Sequence, residues 1–225
     1  MKQFKHQQIM KILYILVISI SSLSSIFLLA CRKNVENPGL SKYYPNDVGD
    51  TWQYDVTDSA QSTPNNPTLP IHYSVKVSIV GTRILPDGRE SSVWQYQYPS
   101  GNDTNYVRLK GDTVQVFGSS AATSLSKLNF PDVIFLIPFQ NNQHWTGKIY
   151  GSDNFATLGQ TTMSYAGQTF AGCYDIFRHY LGPNTELNDH YFFKPYVGII
   201  GQKFSHYINS PILYQSWQLK NFSVH

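Results

Sequence analysis

The sequence predicts an all-β fold: an antiparallel, twisted sheet arranged as a barrel, closed or partly open, or as a sandwich. Three observations predict it. Ile71, Tyr73, Val75, Val77 and Ile79 alternate with His72, Ser74, Lys76 and Ser78, the period of two that suits a half-buried strand. Similar segments recur about every ten to fifteen residues between turn signals. Beyond residue 30 no stretch carries a strong 3.6-residue period, and Ala121 to Leu128 suits about two helical turns at most.

The chain starts with an address. Lys2, Lys5 and Lys11 precede an uncharged, apolar run from Ile12 to Ala30, the pattern of a secretory signal over residues 1–30. Leu28-Leu29-Ala30-Cys31 fits a bacterial lipobox, in which small Ala30 precedes the cut and the Cys31 thiol is acylated. Each acyl CH₂ of a palmitate-type chain adds about 0.8 kcal/mol of membrane binding, so more than one chain makes a stable anchor. The expected partner at this end is therefore a membrane, reached through lipid. Residues 31–42 are polar and contain Pro38-Gly39, the composition of a tether. Arg32 stands where some lipoproteins carry an inner-membrane retention Asp, so the expected location is the outer membrane, periplasmic face.

The β-rich domain spans residues 43–225. Trp52, Tyr54 and Val56 mark a first strand, and Ser59 to Pro70, rich in Ser, Asn and Pro, reads as a loop. The strand at Ile71 then turns at Pro86-Asp87-Gly88 into a partner carrying Trp94, Tyr96 and Tyr98. A second hairpin joins Tyr106–Lys110 to Thr113–Phe117 through Gly111-Asp112. Later strands are expected at 161–165, 173–180, 190–193, 199–207 and 213–222. Pro45 and Trp52 are seven apart, as are Pro138 and Trp145, an echo of two duplicated halves, 43–130 and 131–225.

Charge excludes one class of partner. Lys and Arg number 17 against 14 Asp and Glu, but the excess is the three lysines of the address, so the remaining chain is formally neutral. That is no footprint for nucleic acid. With Cys31 acylated, Cys173 is left without an intrachain disulfide partner; flanked by Gly172 and Tyr174, it reads as a small buried residue.

Local signatures of catalysis are missing: no G-x-S-x-G, no H-E-x-x-H, no P-loop and no EF-hand loop. His72, His144, His179, His190, His206 and His225 are dispersed. Asp175 and His179 share a strand face and His190 follows Asp189, which leaves open a hydrolase-type site assembled in three dimensions. No catalytic residue, metal ligand or cofactor is assigned. Asn102-Asp103 and Asp112 offer too few oxygens for the six to eight that calcium takes.

Several motifs together resemble a family of uncharacterised small Bacteroidota-type lipoproteins with a twisted, partly open β-barrel. They are Tyr43-Tyr44-Pro45 with Val48-Gly49-Asp50-Thr51-Trp52-Gln53-Tyr54; Pro138 with Trp145; Ala166-Gly167 with Phe170 and Cys173-Tyr174-Asp175-Ile176; and Tyr191-Phe192-Phe193-Lys194-Pro195-Tyr196-Val197-Gly198. Tyr196 stands where the family usually has Gly, and Gln168 lengthens the spacing from Ala-Gly to Phe. The resemblance implies a fold and an envelope location and supplies no catalytic residues. Physically these motifs read as structural: Gly49 and Gly198 suit bends, Pro45 and Pro195 fix the approach into a strand, and Trp52 and Trp145 are core anchors.

Sixteen Tyr and four Trp exceed what one core obviously needs. The expected role is non-enzymatic, either binding or envelope scaffolding. In its more specific form, Tyr73, Trp94 and Tyr96 line an enclosure for an apolar ligand or lipid. The alternatives are a surface module binding glycan or an envelope protein, and the noncontiguous His/Asp enzyme.

Overall fold

A computed structural model describes residues 38–63, 66–67, 70–129, 131–147, 153–208 and 212–225. The expected signal segment, Cys31 and most of the tether lie outside them. A short helix, α1 (Pro38–Tyr43), comes first. Although its sequence reads as tether, Leu40 packs against the core and its carbonyl accepts from the Tyr44 N–H at 3.2 Å.

Among the described residues thirteen strands follow: β1 (Thr51–Thr63), β2 (Asn66–Pro67), β3 (Ile71–Ile84), β4 (Glu90–Tyr98), β5 (Gly101–Lys110), β6 (Thr113–Phe117), β7 (Val133–Leu136), β8 (His144–Gly147), β9 (Asp153–Tyr165), β10 (Gln168–Leu181), β11 (Thr185–Lys194), β12 (Gly198–Ile208) and β13 (Ile212–Ser223). All belong to one antiparallel sheet, ordered β7-β6-β5-β4-β3-β1-β13-β12-β11-β10-β9-β8, with β2 added to β1. Two meanders therefore run outward from the central β1–β13 pair, which joins Thr51 to Ser223 and Gln61 to Ile212.

The sheet coils until its two edges face each other. Bulges between Gln53 and Tyr54, Ile79 and Gly81, Phe170 and Cys173, and Phe192 and Phe193 add the local bending this needs. Phe135 of β7 packs on Phe155 of β9 and Tyr191 of β11 at ring distances of 6.4 and 5.4 Å, so one core fills the interior between both meanders. The edge strands β7 and β8 form no ladder; the Trp145 indole donates to the Ile134 carbonyl across the gap at 2.8 Å. The result is an all-β barrel, nearly closed, with one unsealed seam.

One end is plugged by the entering chain. Tyr43 accepts from the Phe139 N–H on its hydroxyl, and its carbonyl accepts from the Tyr196 N–H, both at 3.0 Å. Tyr44 stacks on Phe193 at 5.4 Å. Motif residues far apart in sequence meet here. Trp52 donates to the Val197 carbonyl and the Tyr54 hydroxyl to the Ile199 carbonyl, each at 2.6 Å. Gly198, at φ +98°, leaves room for the Trp52 indole. Tyr196 adopts φ +68° despite its side chain, and its ring meets Tyr43 edge-on at 6.0 Å.

Two local expectations are corrected. Ser59 to Pro70 is not a continuous loop: β1 runs on to Thr63 along β13, and Asn66–Pro67 folds back on it, because ladder bonds need only backbone and a waiting partner. Ala121 to Leu128 makes no α-helix but two 3₁₀ turns, Ser119–Ala122 and Leu125–Asn129. There the Thr123 hydroxyl bonds back to the Ser120 carbonyl, a competition that interrupts α-helix. β7 pairs with β6, and the chain passes from one meander to the other between β7 and β8, where the Ile137-Pro138 bond is cis.

Candidate ligand site in the barrel interior

Alternation puts Trp94, Tyr96 and Tyr98 of β4 on the inner face, opposite inward residues of β11, β12 and β13. Between them lies a cavity of about 240 Å³. Its apolar wall is Tyr44, Trp94, Tyr98, Phe135 and Trp217, with Val107, Val116 and Val133 beside them. The aromatic rings brace one another: Trp52 stacks on Trp94 at 5.1 Å, Tyr96 on Tyr98 at 6.5 Å, and Tyr98 meets Trp217 edge-on at 6.2 Å.

Polar groups enter at fixed places. The Trp94 indole donates to the Asn46 side chain at 2.8 Å, and Asn105 lines the cavity with Tyr96. The Gln215 amide is held at both ends: it accepts from Trp217 at 2.7 Å and donates to Asp58 at 3.0 Å and Tyr73 at 3.1 Å. Gln202 completes the polar part of the lining. Burial makes phenolate unfavourable here, pushing Tyr96 from 10.0 up to about 12 and Tyr44, Tyr98 and Tyr191 higher still. At neutral pH these hydroxyls are therefore hydrogen-bonding groups without charge.

Of the three residues expected to line an enclosure, Trp94 and Tyr96 border this cavity. Tyr73 stands behind it, holding Gln215. Sequence reasoning missed Gln215, Gln202 and Asn105. The available signal was Gln215 itself, a polar residue at an inward position two before buried Trp217.

The acid and histidine residues form separate pairs. Asp175 meets His190 at 2.9 Å, not His179, because His190 lies on the neighbouring strand. His179 is instead 3.6 Å from Glu186. Asp189 meets His206 at 2.7 Å and Arg178 at 3.5 Å, while Arg178 also makes a two-pronged bond to Asp153 at 2.9 and 3.1 Å. Asp153 and Asp189 are both buried, so this network neutralises carboxylates on the barrel wall. Among the described residues no Ser, Thr or Cys side chain is hydrogen-bonded to His179, His190 or His206. Cys173 is fully buried, its thiol donating to the Phe170 carbonyl at 3.0 Å, and burial pushes its pKa up. No cluster of three or more metal-ligating side chains occurs among the described residues.

Trp52 and Trp145 are held in similar ways. Trp52 stacks on Trp94, Trp145 stacks on Phe155 at 5.4 Å, and each indole donates to a main-chain carbonyl.

No protein-family profile matches the chain, and no curated protein matches it by sequence. Several solved structures resemble it at low identity, three of them as follows. A protein from Bacteroides fragilis, described as exported and YmcC-like in fold, is 12% identical with a TM-score of 0.44, over 80% of this chain and 98% of its own. A lipoprotein from Parabacteroides distasonis is 12% identical with a TM-score of 0.38, over the same shares. A LolA superfamily protein from Nitrosomonas europaea is 11% identical with a TM-score of 0.23, over 86% of this chain and 93% of its own.

Proposed function

We propose that this chain is a non-enzymatic binding protein of the bacterial cell envelope, anchored by lipid at Cys31, that holds an amphipathic ligand inside its barrel. The observation carrying this reading is the 240 Å³ cavity, where an aromatic and valine wall meets the amides of Asn105, Gln202 and Gln215, the last held by Asp58, Tyr73 and Trp217. An apolar wall with few, oriented polar groups is the usual constitution of a small-molecule site. The volume lies just below the roughly 300–1,000 Å³ of typical pockets, so the ligand is one short chain or ring rather than a whole phospholipid. Tyr73 and Asp58 act through Gln215, fixing which way its amide faces. The location rests on the signal pattern and the lipobox, and the outer membrane, periplasmic face, is the compartment it favours.

Native mass spectrometry of the purified protein tests the reading. A bound small amphiphile that is retained by wild type and lost in Trp94→Ala supports it. A protein that is ligand-free after gentle purification and takes up no single-chain amphiphile refutes it. Labelling by a fatty-acid analogue, abolished in Cys31→Ala, tests the anchor separately.

A second reading, glycan binding on the outer face, has its own observation. A groove of about 350 Å³ over β11, β12, β13 and β1 is lined by Thr57, Ser59, Ser205, Ser216, Asn188 and exposed Tyr214. Loss of oligosaccharide capture in Tyr214→Ala is its expected outcome; capture unchanged by that substitution counts against it.

A further inference from the structure

Another cavity, of about 500 Å³, lies on the outer surface of β5, β6 and β7, bounded on one side by the second 3₁₀ turn and across the seam by β8. It is separate from the barrel interior, and its volume is within the range of small-molecule sites. One wall is apolar: Leu125, Leu128, Ile134, Leu136 and Trp145. Leu125 in this wall is 57% exposed.

The other end is cationic and partly built. Arg108, its side chain only 7% exposed, makes a two-pronged bond to Asp87 at 2.8 and 3.1 Å and donates to Ser91 at 3.2 Å. The hydrogen bonds from Arg108 hold the Asp87 carboxyl below its usual range. These two charges cancel each other and fix the β3–β4 turn against β5. Arg89, 58% exposed and 3.9 Å from Asp87, and exposed Lys110, which has no ion pair among the described residues, are then in excess. Three cations against one carboxylate make this end attractive to an anion.

We propose that this groove binds a single-chain fatty carboxylate, with its chain along Leu125, Leu128, Ile134 and Leu136 and its head group at Arg89 and Lys110. Charge decides between occupants. A neutral apolar molecule would gain nothing from the cationic end, and a small inorganic anion would gain nothing from the leucine wall. The site stands independently of the interior cavity: the two linings share no residue, and apart from Trp145 at the seam its strand residues come from the opposite face of the sheet.

Titration of the methyl-labelled protein with dodecanoate, followed by NMR, tests the proposal. Saturable shifts are expected at the methyl groups of Leu125, Leu128, Ile134 and Leu136. Arg89→Glu combined with Lys110→Glu, both at exposed positions, is expected to weaken dodecanoate binding at least about tenfold, and added salt to weaken it in wild type. Dodecanol, with the same chain and no charge, is expected to bind wild type and the double variant alike. Equal dodecanoate affinity in the two proteins overturns the proposal. So do shifts confined to the interior Val107, Val116 and Val133, which would assign the ligand to the barrel instead.

Discussion

Replacing Gly198 by Ala tests whether two distant motifs are held together by one close contact. Gly198 adopts φ +98°, a backbone state that L side chains rarely enter, which costs about 1–3 kcal/mol. A Cβ there would also come within 3.2 Å of the Trp52 indole nitrogen. That nitrogen cannot retreat freely: it donates to the Val197 carbonyl at 2.6 Å, and its ring is pinned on Trp94 at 5.1 Å. Pushing it away overpacks the core, adding a further 1–3 kcal/mol or so. Gly159 supplies the control, because its φ is +129° but a Cβ would meet nothing within 4 Å. Urea unfolding followed by tryptophan fluorescence should therefore show both alanine variants destabilised, with Gly198→Ala worse by about 1–3 kcal/mol at unchanged m. Equal losses in the two variants would refute the contact argument, leaving only backbone strain.

Other consequences can be measured with the same protein. Ala166 and Gly167 form the β9–β10 turn at φ +48° and +77°, so Ala166→Asn, which tolerates that conformation better, should raise stability by about 1 kcal/mol in the same urea assay. Val116→Phe should fill part of the 240 Å³ cavity; at about 24 cal/mol per Å³ for roughly 50 Å³, it gains up to about 1 kcal/mol while reducing the mass-spectrometric yield of bound ligand. Burial raises the folded pKa of Tyr96 from 10.0 to about 12, so the native state keeps a proton that the unfolded chain has lost. Stability should thus be complete below pH 10 and fall as pH rises toward 12, read from the urea midpoint across that range.

The strand pattern was largely legible. The alternations at Ile71 to Ile79 and Trp94 to Tyr98 became β3 and β4, and Pro86-Asp87-Gly88 the turn between them, because a half-buried strand leaves its period directly in the residues. Short edge strands were not legible. Val133–Leu136 and His144–Gly147 are too brief for a period, and only their neighbours make them strands. The candidate site divides similarly. Trp94 and Tyr96 stand out as inward aromatics, whereas Gln202 and Gln215 matter only because β12 and β13 curl to face β4.

Alternating apolar residues, scarce charge and glycines at turns determined by themselves that this chain forms an antiparallel β domain, since those are properties of neighbouring residues. Its closure is of another kind. Nothing in the run from Ile134 to Trp145 announces that an indole will bridge two sheet edges, or that Trp52 will rest against Gly198. The first joins residues 11 apart in sequence but on opposite edges of the sheet, and the second joins residues from opposite ends of the domain. They arise only when bulges and twist bring the sheet around on itself, and that coiling places both the interior cavity and the outer groove.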